Sequence, residues 1–340
     1  MPLTRSKRFA ILPVALALVL AACSGGGSGG GGSGPASPCD TASDFPRRPI
    51  EFIVPWAAGG GTDSVARFLG TALAERLGTQ VNVVNRTGGG GVVGHSAIAT
   101  ARPDGTTIGM ATVEITMMHW QGLTDLTHEQ LTPIAQVNSD AAGVTVAADA
   151  PWADVRQLLQ AASAQPGATT ASGTGRGGIW DLARAGMLLK AGTAPDAIRW
   201  VPSEGAAPAL QELVAGGVDV STASLVENKT MIEAGRVKAI GVMADERDPK
   251  FPDVPTLREQ GVDFTMAAWR GIAGPKGMPD DVVAELSCHL DGVVHSPEYA
   301  KFMGTAGFGI AWRNAAEFGA FMAQQDAEKG AIMRSAGLAG

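Results

Sequence analysis

Cysteine is scarce in this sequence, with three in 340 residues, too few for a disulfide-built scaffold. Basic charge is in deficit as well: 26 Lys and Arg face 33 Asp and Glu, a formal charge of −7. Three of those cations, Arg5, Lys7 and Arg8, sit in the first few residues, so the remainder is more acidic still. Such a body is poorly matched to a nucleic-acid backbone, where cationic side chains must displace condensed counterions. Apolar runs of membrane-spanning length are missing too. The N-terminal one, Phe9 to Ala22, is roughly 14 residues, short of the ~20 a spanning helix needs.

Catalytic and metal motifs fail on inspection. His128-Glu129 opens an H-E-x-x-H pattern, but Thr132 stands at the second His position, so no zinc site is expected. Gly94-His95-Ser96 hints at a nucleophile elbow, yet Ile98 occupies the place of the closing glycine. The glycine loops lack the Gly-Lys-Ser/Thr of a P-loop. The five histidines are scattered and read as surface or capping residues. No acid–base constellation, metal site or cofactor is called for, and the sequence reads as a binder.

What is present starts with export. The basic start and short apolar run have the flanks and length of a secretory signal over residues 1–22. Leu20-Ala21-Ala22-Cys23 resembles a bacterial lipobox, which implies cleavage before Cys23 and a lipid on its thiol. Residues 23–44 are dominated by Gly and Ser, a flexible tether whose 14-residue core spans roughly 20 Å on random-coil scaling. Outside the cytoplasm, Cys39 and Cys288 can pair, or stay as two thiols.

The rest alternates short β-rich runs with helical stripes, at 45% hydrophobic content. Ile50 to Val54 predicts a strand, followed by a helix with Val65, Phe68, Leu69 and Ala72 on one face. Val81 to Val84, Thr107 to Ala111, Thr169 to Ser172, Ile198 to Val201, Val218 to Ser221 and Lys238 to Met243 continue the strand set. This predicts parallel sheets with helices on both faces. Two such halves imply two α/β domains, 45–139 with 263–340, and 140–262. The β-rich stretches 134–148 and 263–274 would carry the chain across and back, as a hinged cleft requires.

Glycine marks the places where strands give way to helices: Gly59-Gly60-Gly61-Thr62-Asp63, Gly88 to Gly91, Gly173 to Gly178, and Ser203-Glu204-Gly205. Helix starts offer unpaired N–H groups and a partial positive charge. Hydrogen bonds to a charged ligand contribute about 1.5–3 kcal/mol each. Four such loops facing one crevice can hold an anion at micromolar affinity, about −8 kcal/mol, without a lysine. Gly173-Thr174-Gly175-Arg176-Gly177-Gly178 also fits the dinucleotide fingerprint, though export removes the protein from the nicotinamide pool.

Several motifs together carry a family resemblance. They are Phe45-Pro46-x-x-Pro49-Ile50, Pro55-Trp56-Ala57-Ala58-Gly59-Gly60-Gly61-Thr62-Asp63 and Asn85-Arg86-x-Gly88-x-Gly90-Gly91-x-x-Gly94. Pro103-Asp104-Gly105-Thr106, Gly205-Ala206-Ala207-Pro208-Ala209-Leu210, Gly216-Gly217-Val218-Asp219 and Pro252-Asp253-Val254-Pro255-Thr256 follow in order. From about Phe45 to Leu338 the chain resembles the substrate-binding proteins of tripartite tricarboxylate transporters, the TctC-like or Bug-type receptors. The resemblance implies a type II periplasmic-binding-protein fold closing on a small organic carboxylate, and large and small integral-membrane permease subunits as partners. It places ligand contacts on Trp56 to Asp63 and Gly88 to Gly91, with Ser172, Gly173, Thr174, Gly175 and Gly178 across the cleft.

Asp63 reads more as a brace for its helix start than as a contact, since a carboxylate repels an anion. Trp56 either walls the pocket or packs in the core. Arg176 and Arg270 are candidate guanidinium contacts, and Ser224 a further polar one. The sequence departs from the family at Thr87 and Gly89, at Ile179-Trp180-Asp181 in place of a hydroxyl–His pair, and at Thr222-Ala223-Ser224. Ligand identity therefore does not transfer. The alternatives are an exported α/β dehydrogenase or hydrolase, and a receptor feeding a membrane sensor.

Overall fold

Ile50–Val54 is a strand (β1) because four of its five side chains are apolar, β-branched or aromatic, and all four are buried. It belongs to a computed structural model that describes Cys39, residues 45–203 and residues 205–340. The expected signal segment, Cys23 and the Gly/Ser tether other than Cys39 lie outside the described residues.

After β1 come α1 (Gly61–Leu77), β2 (Val81–Asn85), α2 (Val92–Ala99), β3 (Thr107–Thr112) and the long β4 (Leu131–Ala141). A second group follows: β5 (Gly143–Ala147), α3 (Val155–Ala164), β6 (Thr169–Ser172), α4 (Ile179–Lys190) and β7 (Ile198–Trp200). It continues through α5 (Ala206–Ala215), β8 (Val220–Ser221), α6 (Leu225–Glu233) and β9 (Val237–Val242). The chain then returns through β10 (Ala267–Pro275), α7 (Asp280–Val294), α8 (Pro297–Ala306), β11 (Ile310–Arg313) and α9 (Ala315–Ser335).

Two sheets result, one ordered β11-β4-β10-β3-β1-β2 and the other β7-β6-β8-β5-β9. The expectation of wholly parallel sheets is corrected. β1 is parallel to β2 and β3, but β10 runs antiparallel to both β3 and β4, and β11 is antiparallel to β4. In the second sheet β6 is parallel to β7 and β8, whereas β5 opposes β8 and β9. The physical reason is the crossing: a strand entering from the other sheet arrives with its direction already set.

The two crossings are bonded to each other. Ala142 N donates to Met266 O (2.8 Å), Met243 N to Ala142 O (2.8 Å) and Met266 N to Met243 O (3.0 Å). One hydrophobic core includes residues of both sheets, among them Ile53, Ala111, Val144, Ala171 and Ile240, with Phe318 and Met322 of α9. A shared core and two adjacent backbone crossings thus join the two sheets.

Cys39 and Cys288 form a disulfide with Cα atoms 5.5 Å apart and 249 positions between them in sequence. It ties the segment before β1 to α7. A closed loop of that length restricts the unfolded chain by up to about 5 kcal/mol in the chain-entropy picture. Cys288→Ser is therefore expected to lower the midpoint of thermal unfolding by several degrees and to remove its sensitivity to reductant. A melt that is unchanged by the substitution and by dithiothreitol would contradict this.

Candidate ligand-binding cleft

The four glycine loops follow strands β1, β2, β6 and β7, which are parallel within each sheet, and precede α1, α2, α4 and α5. All four open into one cleft of about 1010 Å³. Gly60, Gly91, Gly178 and Gly205 are the residues before the first helical turns, and none of these helices has a side-chain cap. Most of the other helices carry a side-chain cap, α7 behind Pro279 being the exception. Asp154, Ser296 and Asn314 accept from the first turns of α3, α8 and α9. The four cleft helices thus leave their first N–H groups without a side-chain cap, free for solvent or ligand.

Two of the loops require glycine for different reasons. Gly88, Gly89, Gly90 and Gly91 have φ of 131°, 58°, 64° and 99°, four consecutive left-handed residues that side chains would strain. At Gly61 a Cβ would stand 2.7 Å from the Phe308 ring and 3.3 Å from Arg270 Nη2.

A buried aspartate holds the loop in each sheet. Asp63, 3% exposed, accepts from Gly59 N (2.8 Å), Arg67 Nε (2.9 Å) and Asn85 Nδ2 (2.9 Å). Burial alone would raise its pKa, but Arg67, Gly59 and Asn85 outweigh that and hold it below the usual carboxylate range. Asp181, 0% exposed, accepts from Gly177 N (2.9 Å) and from Arg184 Nε and Nη2 (3.0 and 2.6 Å). Each aspartate is the third residue of its helix and reaches back four residues to a glycine N–H.

His95 ties the second loop to the first sheet. Its Nδ1 lies 2.8 Å from Gly91 O, and its Nε2 accepts from Thr112 N at 3.1 Å. That pattern fixes a neutral ring protonated on Nδ1. Complete burial lowers its pKa to about 4, with the Gly91 bond opposing. The expectation of surface or capping histidines is thus corrected for His95, 0% exposed, and for His289, also buried. Trp56 Nε1 donates to Thr112 Oγ1 (3.2 Å), and Thr112 Oγ1 donates to Glu114 Oε2 (2.6 Å).

Of the residues singled out from sequence, Trp56, Ala58, Gly59, Gly60, Gly61, Thr62, Gly88, Gly90 and Gly91 line the cleft. Thr174, Gly175, Arg176, Gly178 and Arg270 line it as well. Asp63, Ser172, Gly173 and Ser224 are not among its lining residues. Asp63 is committed to its brace. Ser172 is buried at the end of β6, and Gly173 is covered by Trp180, 2.6 Å from where its Cβ would be. Ser224 caps α6 in a reciprocal box with Glu227. Arg270 is largely spoken for: Nε donates to Thr62 Oγ1 (3.0 Å), and Nη1 to Asp140 Oδ2 (2.8 Å) and to Asn138. Arg176 is exposed and pairs with no described residue.

Sequence reasoning missed Glu114, Glu227, Gln121, Trp180 and Trp269, all on the cleft wall. Gln121 Nε2 donates to Gly177 O at 2.9 Å, joining the segment after β3 to the loop before α4. Glu227 had a signal, since Ser224-x-x-Glu227 is a capping box. Glu114 follows β3 in a tight 3₁₀ turn, Val113–Thr116, with no motif around it. Among the described residues no group of three or more His, Cys, Asp or Glu could hold a metal ion. No helix among them is long and apolar enough to cross a membrane.

Two α/β lobes with helix starts converging on a shared cleft define the class of periplasmic solute-binding receptors. Within it, the chain belongs to the tripartite tricarboxylate transporter receptor family, whose model matches residues 65–338. The protein from the tcbD–tcbE intergenic region of Pseudomonas sp. strain P51 is 32% identical over 261 residues, 76% of this chain and 77% of the relative. A TctC solute-binding protein from Polaromonas is 33% identical with a TM-score of 0.74, covering 85% of this chain and 99% of that one. MatC from Rhodopseudomonas palustris, solved with bound malate, is 27% identical with a TM-score of 0.71, covering 86% and 99%. The family is one of extracytoplasmic solute receptors that serve transporter permeases.

The His95 ring makes a pH prediction. An unfolded histidine titrates near 6.5, so between that pH and about 4 the unfolded chain takes up a proton that the native ring refuses. Stability therefore falls as pH drops through this window, by about 3 kcal/mol at most. Urea unfolding of the wild type and His95→Asn at pH 7 and pH 4.5 should show a smaller acid loss in the variant. Equal losses would mean that His95 is not the titrating group.

Proposed function

We propose that the protein is a lipid-anchored receptor that captures a small organic carboxylate between its lobes and delivers it to a tripartite permease. The observation that carries this is the set of four uncapped helix starts, two from each sheet, opening on one cleft. Partial positive charge and free N–H groups suit a carboxylate bound through backbone. MatC, with its malate, supports the ligand class. In this reading Cys23 bears the lipid and residues 23–44 form the tether. One domain is 45–139 with 263–340, and the other is 140–262. Sheet membership supports the division, since the chain passes from one sheet to the other between Ala141 and Gly143. Ligand adds contacts from the second lobe to those of the first and so favours a closed form.

A thermal-shift screen against mono-, di- and tricarboxylates and aromatic acids tests the reading. A ligand at 100 times its dissociation constant should stabilise the fold by about 2.7 kcal/mol. A flat response to every acid would refute it. Arg176→Ala is the sharper variant, because removing Arg270 would strand Asp140. With the acid that gives the largest shift, Arg176→Ala should weaken calorimetric binding about ten-fold, as loss of a charge-assisted bond implies. Unchanged affinity would take Arg176 out of the site.

A further inference from the structure

The cleft that offers amides to an anion also contains two carboxylates. Glu114 comes from the turn after β3 in the first lobe, and Glu227 from the first turn of α6 in the second. Both line the cleft. Glu114 Oε2 accepts from Thr112 Oγ1 at 2.6 Å, and Glu227 Oε2 accepts from Ser224 Oγ at 2.9 Å and Ser224 N at 3.3 Å. Neither is in a salt bridge with a described residue. Arg270 lies within electrostatic reach of both, but its guanidinium is bound to Asp140 at 2.8 Å. Lys329, the other cation near Glu114, is buried on α9, donates to Gln325 and is not part of the lining. Desolvation raises the pKa of both glutamates even though Arg270, and for Glu114 also Lys329, pull the other way; Glu114 is half-buried, and Glu227, though its helix start is enclosed, keeps an exposed face.

A second observation is independent of these acids. Trp269, 1% exposed, lines the same cleft, and its indole N–H meets no acceptor within the described protein. An indole N–H can only donate. The Thr174 hydroxyl, on the other lobe, is likewise buried without a partner. The cleft therefore holds unanswered donors beside acids that have no ion-pair partner among the described residues. A simple anion satisfies the first and aggravates the second.

Resting on the carboxylate-receptor reading, we infer that the ligand is amphoteric, with a carboxylate at the glycine loops and a cationic nitrogen between Glu114 and Glu227. One acid from each lobe then meets the same ammonium, which draws the lobes together. A dicarboxylate of similar length would set its second anionic group against the two glutamates.

The test compares matched probes on the purified protein at pH 7 by isothermal titration calorimetry. 4-Aminobutanoate is set against succinate and 5-aminopentanoate against glutarate, with α-amino acids and pentanoate alongside. At least one amino acid should bind about ten-fold or more tightly than its dicarboxylate or uncharged counterpart. Glu114→Gln and Glu227→Gln keep the hydrogen-bond acceptor and remove the charge. Each should weaken the amino acid about ten-fold and leave dicarboxylate binding equal or stronger. Tighter binding of the dicarboxylates to the wild type, or an amino-acid preference unmoved by both variants, overturns the inference and leaves the carboxylate receptor standing. Failure of every carboxylate, amino or not, overturns both.

Discussion

The site depends on a buried aspartate that reaches back from the third residue of a helix to a glycine N–H in the preceding loop. It occurs once in each lobe, as Asp63 with Gly59 and Arg67, and as Asp181 with Gly177 and Arg184. A flexible glycine loop has no geometry of its own, because glycine has most to lose on ordering. The carboxylate supplies the geometry. It could not remain charged in the interior alone, and the arginine one turn further along the helix supplies the compensation. The loop, the acid and the base form a single unit on each lobe, and the N–H groups that remain in the cleft are those the unit leaves unused.

His95 completes the frame on the first lobe by a different route. Neutral and buried, it bridges the carbonyl of Gly91 and the amide of Thr112, so the four left-handed glycines are held against β3. Thr112 then passes the connection on to Trp56 and Glu114. Wall, loop and acid therefore share one hydrogen-bond network.

Much of this was legible in the residues, and what was not has identifiable causes. Strand and helix positions followed from periodicity, so Ile50–Val54 and Thr169–Ser172 fall where the pattern put them. Strand direction has no periodicity, and β5 and β10 run against the expected parallel order because each enters its sheet from the other lobe. The role of Asp63 as a brace was readable from its offset to a glycine run. Asp181 has the same offset to Gly177 but was hidden by an apparent departure from family pattern. His95 was misjudged because its burial depends on β3 packing over it and on a bond from Thr112 N, which lies on another element. Glu114 and Glu227 were missed because one lies in a turn without a motif and the other reads as a cap.

The energetic cost of holding the cleft open falls unevenly. Replacing a Ser or Asp cap by glycine costs only a few tenths of a kcal/mol, since the bare N–H groups are hydrated instead. Four glycine starts are therefore a small burden on the unliganded protein. The glutamates are different in kind, because neither is in a salt bridge with a described residue and the pull of Arg270 does not offset their desolvation, so a positive group arriving in the cleft gains where an anion loses. The amides set where an anion sits but discriminate weakly among acids, each of which presents the same two oxygens. Discrimination must come from groups whose energy changes sign with the ligand's other end. In this cleft those groups are Glu114 and Glu227, one from each lobe, so the same contacts that select the ligand also reward closure.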